Sequence, residues 1–215
     1  MSRIVHQISF FAPEERILAS SGDAEVRYVP EVLGPDESAE LFARLREAIP
    51  WEQSTMWMYD REVTVPRLTA WYGVGEPAPP DVDALRTRMC ERFGAPFNAV
   101  GLNLYRDARD SVAWHSDKNE HLIANPSIAV LSLGAPREMQ IRPRVIPSVG
   151  AQHRSRGTPR HTLGVALEPG SVLLMTGNAQ DRYEHCIPKL TAQVDERISV
   201  VFRTKVDEPA KGGVQ

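Results

Sequence analysis

After Gly94 the sequence changes period. Val100, Leu102 and Leu104 alternate with Gly101, Asn103 and Tyr105, and Ser127 to Leu133, Glu138 to Arg142, Leu163 to Leu167, Ser171 to Met175 and Arg197 to Arg203 are further strand candidates. Side chains two apart on a strand share a face, so this pattern commits the second half of the chain to sheets. Many short strands separated by Gly and Pro turns imply an antiparallel sandwich or barrel. The first half reads differently. Ala24 to Tyr28 alternates as a short strand, and Pro30 to Pro35 breaks it. Asp36 stands where it can N-cap a helix reaching about Ile49, with Leu41, Leu45 and Ile49 at helical spacing and Pro50 as a stop. Trp51 to Gly75 reads as hairpins and loops. A second helix is expected from about Val82 to Phe93, with Asp81 as its cap and Gly94 just past its end. The expected fold class is therefore α+β, mainly β, with N-terminal helices packed on the β half.

Composition excludes some classes of function. With 42% hydrophobic and 25% charged residues among 215, the chain is ordinary for a globular domain. No apolar run approaches the roughly 20 residues of a membrane helix, and the N-terminus lacks the pattern of a secretory signal, so no membrane partner is expected. Two cysteines, Cys90 and Cys186, make no disulfide framework, and a reducing cytoplasm is the expected compartment. A net charge of -3 argues against an overall basic nucleic-acid binder but leaves room for a local basic patch. A monomer is expected.

The chemistry centres on His115-Ser116-Asp117. An imidazole and a carboxylate two residues apart at the end of an extended segment point to one side. His185 can supply a third ligand, and two histidines with one carboxylate leave open positions suited to a non-haem Fe(II) oxygenase. An HxD pair alone says little, but other residues converge on the same reading. Asn103 and Tyr105 face one way on an alternating strand. Arg197, Ser199 and Arg203 share parity, so all three project from one face of their strand. Arginines facing a barrel interior need an anion, and a small dicarboxylate is an attractive partner.

On these residues the chain resembles the AlkB family of Fe(II)- and 2-oxoglutarate-dependent dioxygenases. The resemblance runs from about Tyr28 to Thr204 and is carried by PRLTAWYG (Pro66 to Gly73), NLY (Asn103 to Tyr105), WHSD (Trp114 to Asp117), IAVLSLGAPR (Ile128 to Arg137), YEHCIPK (Tyr183 to Lys189) and RISVVFR (Arg197 to Arg203). It implies a double-stranded β-helix, or jelly roll. Residues 1–215 form one such domain on this reading: helices and a nucleotide-recognition lid over 1–95, the jelly-roll core over 96–206, and a frayed tail over 207–215. The resemblance further implies that His115, Asp117 and His185 hold Fe(II). Asn103 and Tyr105 would hydrogen-bond 2-oxoglutarate, Arg197 would hold its distal carboxylate, and Arg203 would approach the carboxylate next to the keto group. Ser199 stands where many AlkB relatives have Asn, and a hydroxyl can do the same job.

The implied reaction consumes O2 and 2-oxoglutarate and oxidises an N-methyl group of alkylated DNA or RNA, releasing formaldehyde, succinate and CO2. A base must leave the stack to reach such a site, which calls for aromatic faces and cations. Trp57, Tyr59, Trp71, Tyr72 and Trp114 offer faces, with Trp71 and Tyr72 beside the PR…YG motif (Arg67 within it) the best placed. Arg137, Arg142, Arg144, Arg154, Arg156 and Arg160 stand against Glu138 alone over 137–161 and would form a basic lip. Asn119 and Glu120 follow the iron carboxylate. Repair members often carry an acid where Asn119 stands, and an amide complements a cationic base less well. Two other readings stay open from the residues: an oxygenase for a small molecule or protein, and a nucleic-acid-binding module without turnover.

Overall fold

Antiparallel pairing sorts the strands into two facing sheets and a separate hairpin. The computed structural model describes residues 14–58, 60–117, 122–144 and 161–206. In chain order the elements are β1 (Arg16–Ser21), β2 (Ala24–Val29), α1 (Pro35–Ala48), β3 (Thr55–Met58), β4 (Arg61–Thr64), β5 (Leu68–Tyr72), α2 (Pro80–Phe93), β6 (Ala99–Tyr105), β7 (Val112–His115), β8 (Ile128–Gly134), β9 (Arg137–Pro143), β10 (Leu163–Leu167), β11 (Val172–Thr176), α3 (Ala179–Arg182), β12 (Tyr183–Ile187) and β13 (Arg197–Arg203). The seven-stranded sheet has the order β1-β2-β11-β8-β13-β6-β5, and the four-stranded sheet the order β10-β9-β12-β7. Among the described residues, strands β3 and β4 pair only with each other.

The central strands are buried on both faces, so alternation divides their side chains between two interiors. Leu102 and Leu104 of β6, Leu131 and Leu133 of β8, Val172 and Leu174 of β11, and Ile198, Val200 and Phe202 of β13 face the helices. There they meet Leu41 and Leu45 of α1 and Val82, Leu85 and Met89 of α2. The opposite face, with Tyr105, Val130, Leu173, Met175 and Val201, packs on Met139, Ile141, Val165, Leu167 and Ile187 of the smaller sheet. The result is a jelly roll of the expected α+β, mainly β class, with α1 and α2 on its outer face.

Details differ from the sequence reading. Gly34 and Pro79 occupy the N-cap positions of α1 and α2, and Asp36 and Asp81 lie in the first turns instead. Proline already fits that first turn because its missing N–H has no helical partner there, and the carboxylates still complement the helix dipole. Gly94, at φ 61°, ends α2 in the left-handed region as expected. The large sheet also draws on the segment before residue 96: β1, β2 and β5 all join it. His185 lies inside a strand, preceded by the helical turn α3. The tail over 207–215 lies outside the described residues. Among the described residues no helix is long and apolar enough to cross a membrane.

Leu131 is fully buried at the interface of the large sheet with the helices. Leu131→Ala is expected to lower unfolding stability by about 2–5 kcal/mol, read from the midpoint of a urea titration.

Candidate active site

Pairing between β13 and β6 places Arg197 opposite Tyr105, Ser199 opposite Asn103 and Arg203 opposite Ala99. The parity that sends Ile198, Val200 and Phe202 to the helices sends Arg197, Ser199 and Arg203 into the space between the sheets. From the other sheet, pairing of β12 with β7 sets His185 directly opposite His115, with ring centroids 4.4 Å apart. Asp117 follows just past the end of β7. A cavity of about 200 Å³ is lined by His115, Asp117, His185, Asn103, Tyr105, Arg67, Arg197, Ser199 and Arg203 together with apolar Val112, Val130, Met139, Ile187 and Val201. The structure thus brings the expected metal and 2-oxoglutarate residues to one place. A larger cavity, about 850 Å³, lies between β2, α1 and Glu168–Pro169. It is mainly apolar and shares none of these residues, so convergent polar chemistry rather than size marks the site.

The protonation states suit a metal centre. His115 Nδ1 lies 2.9 Å from the Ala113 carbonyl oxygen. A carbonyl can only accept, so Nδ1 donates and Nε2 is the ring nitrogen left to bind a metal. Burial, with the neighbouring His115, pushes His185 down to about 4, leaving it neutral at pH 7. Burial works to raise the Asp117 carboxyl, but the Arg203 guanidinium, through its charge and its hydrogen bonds, outweighs it and holds it below the usual carboxylate range. Two imidazoles and one ionised carboxylate are the donors of a facial triad with open positions. Asp117 currently accepts from Arg203 Nη2 (3.0 Å, Oδ1) and Nε (3.2 Å, Oδ2), and among the described residues no three His, Cys, Asp or Glu side chains are closed around one point. Each carboxylate oxygen has a second lone pair, so pairing with Arg203 and ligation are compatible.

Deeper in, Arg197 is fully buried. Its Nη2 donates to Ser132 Oγ at 2.9 Å, while Nε and Nη1 have no hydrogen-bond partner among the described residues. Burial pushes its guanidinium down from its ordinary value, and nearby Arg137 adds to that. An arginine nevertheless stays charged, and a buried cation with open donors is costly until an anion answers it. Two N–H groups of a planar fork match one carboxylate, which fits the distal end of a keto-diacid. Asn103 is fixed between Arg67 Nε, which donates to its Oδ1 at 2.7 Å, and Ser199 Oγ, which accepts from its Nδ2 at 3.2 Å.

The expected substrate residues fare less evenly. Arg137 is not on a basic lip. It is 2% exposed and donates to the carbonyls of Asp107 (3.2 Å), Asp110 (3.0 Å) and Pro188 (2.7 Å), tying the β6–β7 loop to the chain after β12. Tyr72 lies on the opposite face of β5 from Trp71 and packs toward the helices, away from the site. Trp114 is half-buried and carries the Arg142 guanidinium 3.8 Å from its ring centroid, while Arg142 pairs with Glu184 at 2.6 Å. Glu138 is therefore not the sole acid facing those arginines, and one face of Trp114 is taken. Trp57 stands exposed on the β3–β4 hairpin. Trp71 borders a compartment that shares Asn103, Asp117 and Arg203 with the metal cavity. Tyr59, Asn119, Glu120, Arg154, Arg156 and Arg160 lie outside the described residues.

Two residues at the site were not foreseen. Ser132, a lone hydroxyl in the apolar run IAVLSLG, holds Arg197, and its interruption of that run was a readable signal. Gln180 on α3 is buried, and its Oε1 accepts the Asp117 backbone N–H at 2.8 Å. Its Nε2 lies 3.3 Å from Met175 Sδ, so the amide pins the Asp117 main chain to β11. Nothing in the local sequence pattern marks it.

Residues 25–203 match the family model of the 2OG-Fe(II) oxygenase superfamily, so this is an Fe(II)- and 2-oxoglutarate-dependent oxygenase. Alpha-ketoglutarate-dependent dioxygenase alkB homolog 3 of Homo sapiens is 32% identical over 220 residues, spanning 92% of this chain and 76% of that protein. DNA oxidative demethylase ALKBH2 of Arabidopsis thaliana is 26% identical over 219 residues, spanning 89% of this chain and 70% of that protein. The chain belongs to the AlkB family of dioxygenases. Among solved structures, the non-heme alpha ketoglutarate dependent epimerase SnoN from nogalamycin biosynthesis has a TM-score of 0.59 at 16% identity, over 83% of this chain and 77% of its own. OsALKBH1 has a TM-score of 0.53 at 14% identity, over 83% of this chain and 96% of its own. At those identities the two structures speak for the fold alone.

Because Gln180 holds the Asp117 backbone, Gln180→Ala is expected to weaken metal binding by about 10- to 100-fold, the range seen when a group behind a metal ligand is removed. Anaerobic titration with Co(II), followed by its visible absorption, measures this.

Proposed function

We propose that this dioxygenase demethylates alkylated bases in DNA or RNA, with His115, Asp117 and His185 as the Fe(II) ligands. The observation that carries the reading is the convergence on one cavity of a His–His–Asp donor set and a buried arginine with two unanswered donors. Fe(II) and 2-oxoglutarate, when bound, supply the activation of O2 that oxidises an N-methyl group, with succinate and CO2 as co-products. The oxidised methyl then leaves as formaldehyde and the base regains its bare nitrogen. The name of the Arabidopsis thaliana relative, a DNA oxidative demethylase, supports nucleic acid as the substrate class.

In this reading Arg197 takes the distal carboxylate of 2-oxoglutarate with Nε and Nη1, and Tyr105 lies beside it, its ring centroid 5.1 Å from the Arg197 guanidinium carbon. Arg203 faces the carboxylate next to the keto group, while Asn103, held by Arg67 and Ser199, presents a fixed amide to the same acid. Val112, Val130, Met139, Ile187 and Val201 exclude water from the reacting end. Trp71, 42% exposed at the edge of the site, offers its indole face to an extruded base. Arg154 and Arg156, outside the described residues, would add phosphate contacts. The enzyme works in this reading as a cytoplasmic monomer.

Anaerobic addition of Fe(II) and 2-oxoglutarate should produce a metal-to-ligand charge-transfer band. The folded protein without that band would point to a binding module. A formaldehyde-release screen over DNA and RNA oligonucleotides carrying 1-methyladenine or 3-methylcytosine then tests the substrate. A protein that forms the band yet releases no formaldehyde from any of them acts on something else. His115→Ala and Asp117→Ala should each abolish succinate production without unfolding the protein. Arg203→Ala should raise the 2-oxoglutarate concentration needed for half-maximal turnover, and unchanged dependence would assign that arginine to structure alone.

A further inference from the structure

The compartment beside the metal cavity has a volume of about 330 Å³, and Trp71, Gly101, Leu122 and Lys205 are among the residues around it. Its indole wall is held from more than one side. Gly101 lies beneath the ring, where a Cβ would stand 3.1 Å from Trp71 Cε3 and Cζ3 and from Arg203 Nη1. Lys205 Nζ sits 4.6 Å from the ring centroid, close enough for a cation–π contact. The lysine is itself anchored by its backbone. Its N–H donates to Asn98 Oδ1 at 2.8 Å, its carbonyl accepts from Asn98 Nδ2 at 2.9 Å, and it bridges to Leu122.

The cations around the site differ in one respect. Arg203 is answered by Asp117, Arg142 by Glu184 and Arg106 by Asp110. Lys205, like Arg67 and Arg197, has no carboxylate partner among the described residues, and unlike those two its side chain makes no hydrogen bond there either. An ammonium that rests on a 42% exposed indole with no carboxylate to hold it can be displaced by an entering nucleotide, the ring then taking the base and the cation its phosphate.

We infer that Lys205 binds a backbone phosphate of the nucleotide whose base enters the Trp71-walled compartment, so that the enzyme favours a phosphate-bearing strand over a free nucleoside. The inference rests on the nucleic-acid reading above and adds to it a residue and a substrate form.

The test uses protein loaded with Fe(II) and 2-oxoglutarate under nitrogen and a labelled single-stranded oligonucleotide carrying one methylated base. Binding is followed by fluorescence anisotropy across a salt series. Lys205→Gln should lower the slope of log affinity against log salt by about one, the signature of one lost phosphate contact, and Lys205→Arg should restore it. In air, the ratio of kcat/KM for the oligonucleotide to that for the methylated nucleoside should fall several-fold in Lys205→Gln. An unchanged slope, or an equal loss on both substrates, would mean that Lys205 merely supports Trp71 and would overturn the inference. Wild-type protein that binds the oligonucleotide but releases no formaldehyde refutes demethylation while leaving the slope comparison decisive. Wild-type protein that does not bind it refutes both.

Discussion

Strand β13 must satisfy two interiors at once, and most of the architecture follows from that demand. One face lies in the hydrocarbon core beneath α1 and α2 and carries Ile198, Val200 and Phe202. The other carries Arg197, Ser199 and Arg203 into the space between the sheets. Buried guanidinium groups are tolerable only where charge and hydrogen bonds meet them. Asp117 meets Arg203, Ser132 meets one nitrogen of Arg197, and the rest of Arg197 is left for a ligand. The register with β6 and β8 that closes the apolar core is also the register that aims the polar set. A slip by one residue would exchange the two faces, so the fold cannot be assembled without assembling the site.

The same logic explains the division of labour between the sheets. The large sheet supplies the groups that would hold an acid, and the small sheet supplies the histidines through the direct pairing of His185 with His115. Gln180 then links the two sides by holding the Asp117 main chain against β11. Metal ligands and acid-binding residues thus come from opposite walls. Their separation depends on the packing of Met139, Ile141 and Ile187 against Val130 and Val201.

Much of this was legible because a period of two is a strong signal wherever both faces of a strand are buried. The bounds expected for β10 and β13 match those observed, and the inward parity of Asn103, Tyr105, Arg197, Ser199 and Arg203 followed from counting alone. The failures have equally physical causes. Strand β1 is a largely exposed edge strand, so no apolar alternation announces it. Tyr72 adjoins Trp71 in sequence, yet neighbours on a strand face opposite ways, so the two do not share a site. Arg137 reads as surface charge because its partners are backbone carbonyls distant in sequence, which leave no trace in composition. Gln180 sits in a helical turn of four residues, too short to show a period.

The β3–β4 hairpin stands apart from this interlocked body. Among the described residues its strands pair only with each other, and Met56 and Trp57 are exposed at 48% and 75%. Its base is stitched to β5 through the Glu52–Thr69 bridge and the 2.8 Å contact between Ser54 Oγ and Thr69 Oγ1. A two-stranded ribbon with so little buried area has little cooperative tie to the sheets, and its free energy of local melting is a small fraction of that of the whole fold. Amide exchange in the ribbon can therefore be fast while β8 and β13 exchange only through global unfolding, giving one molecule two separate clocks.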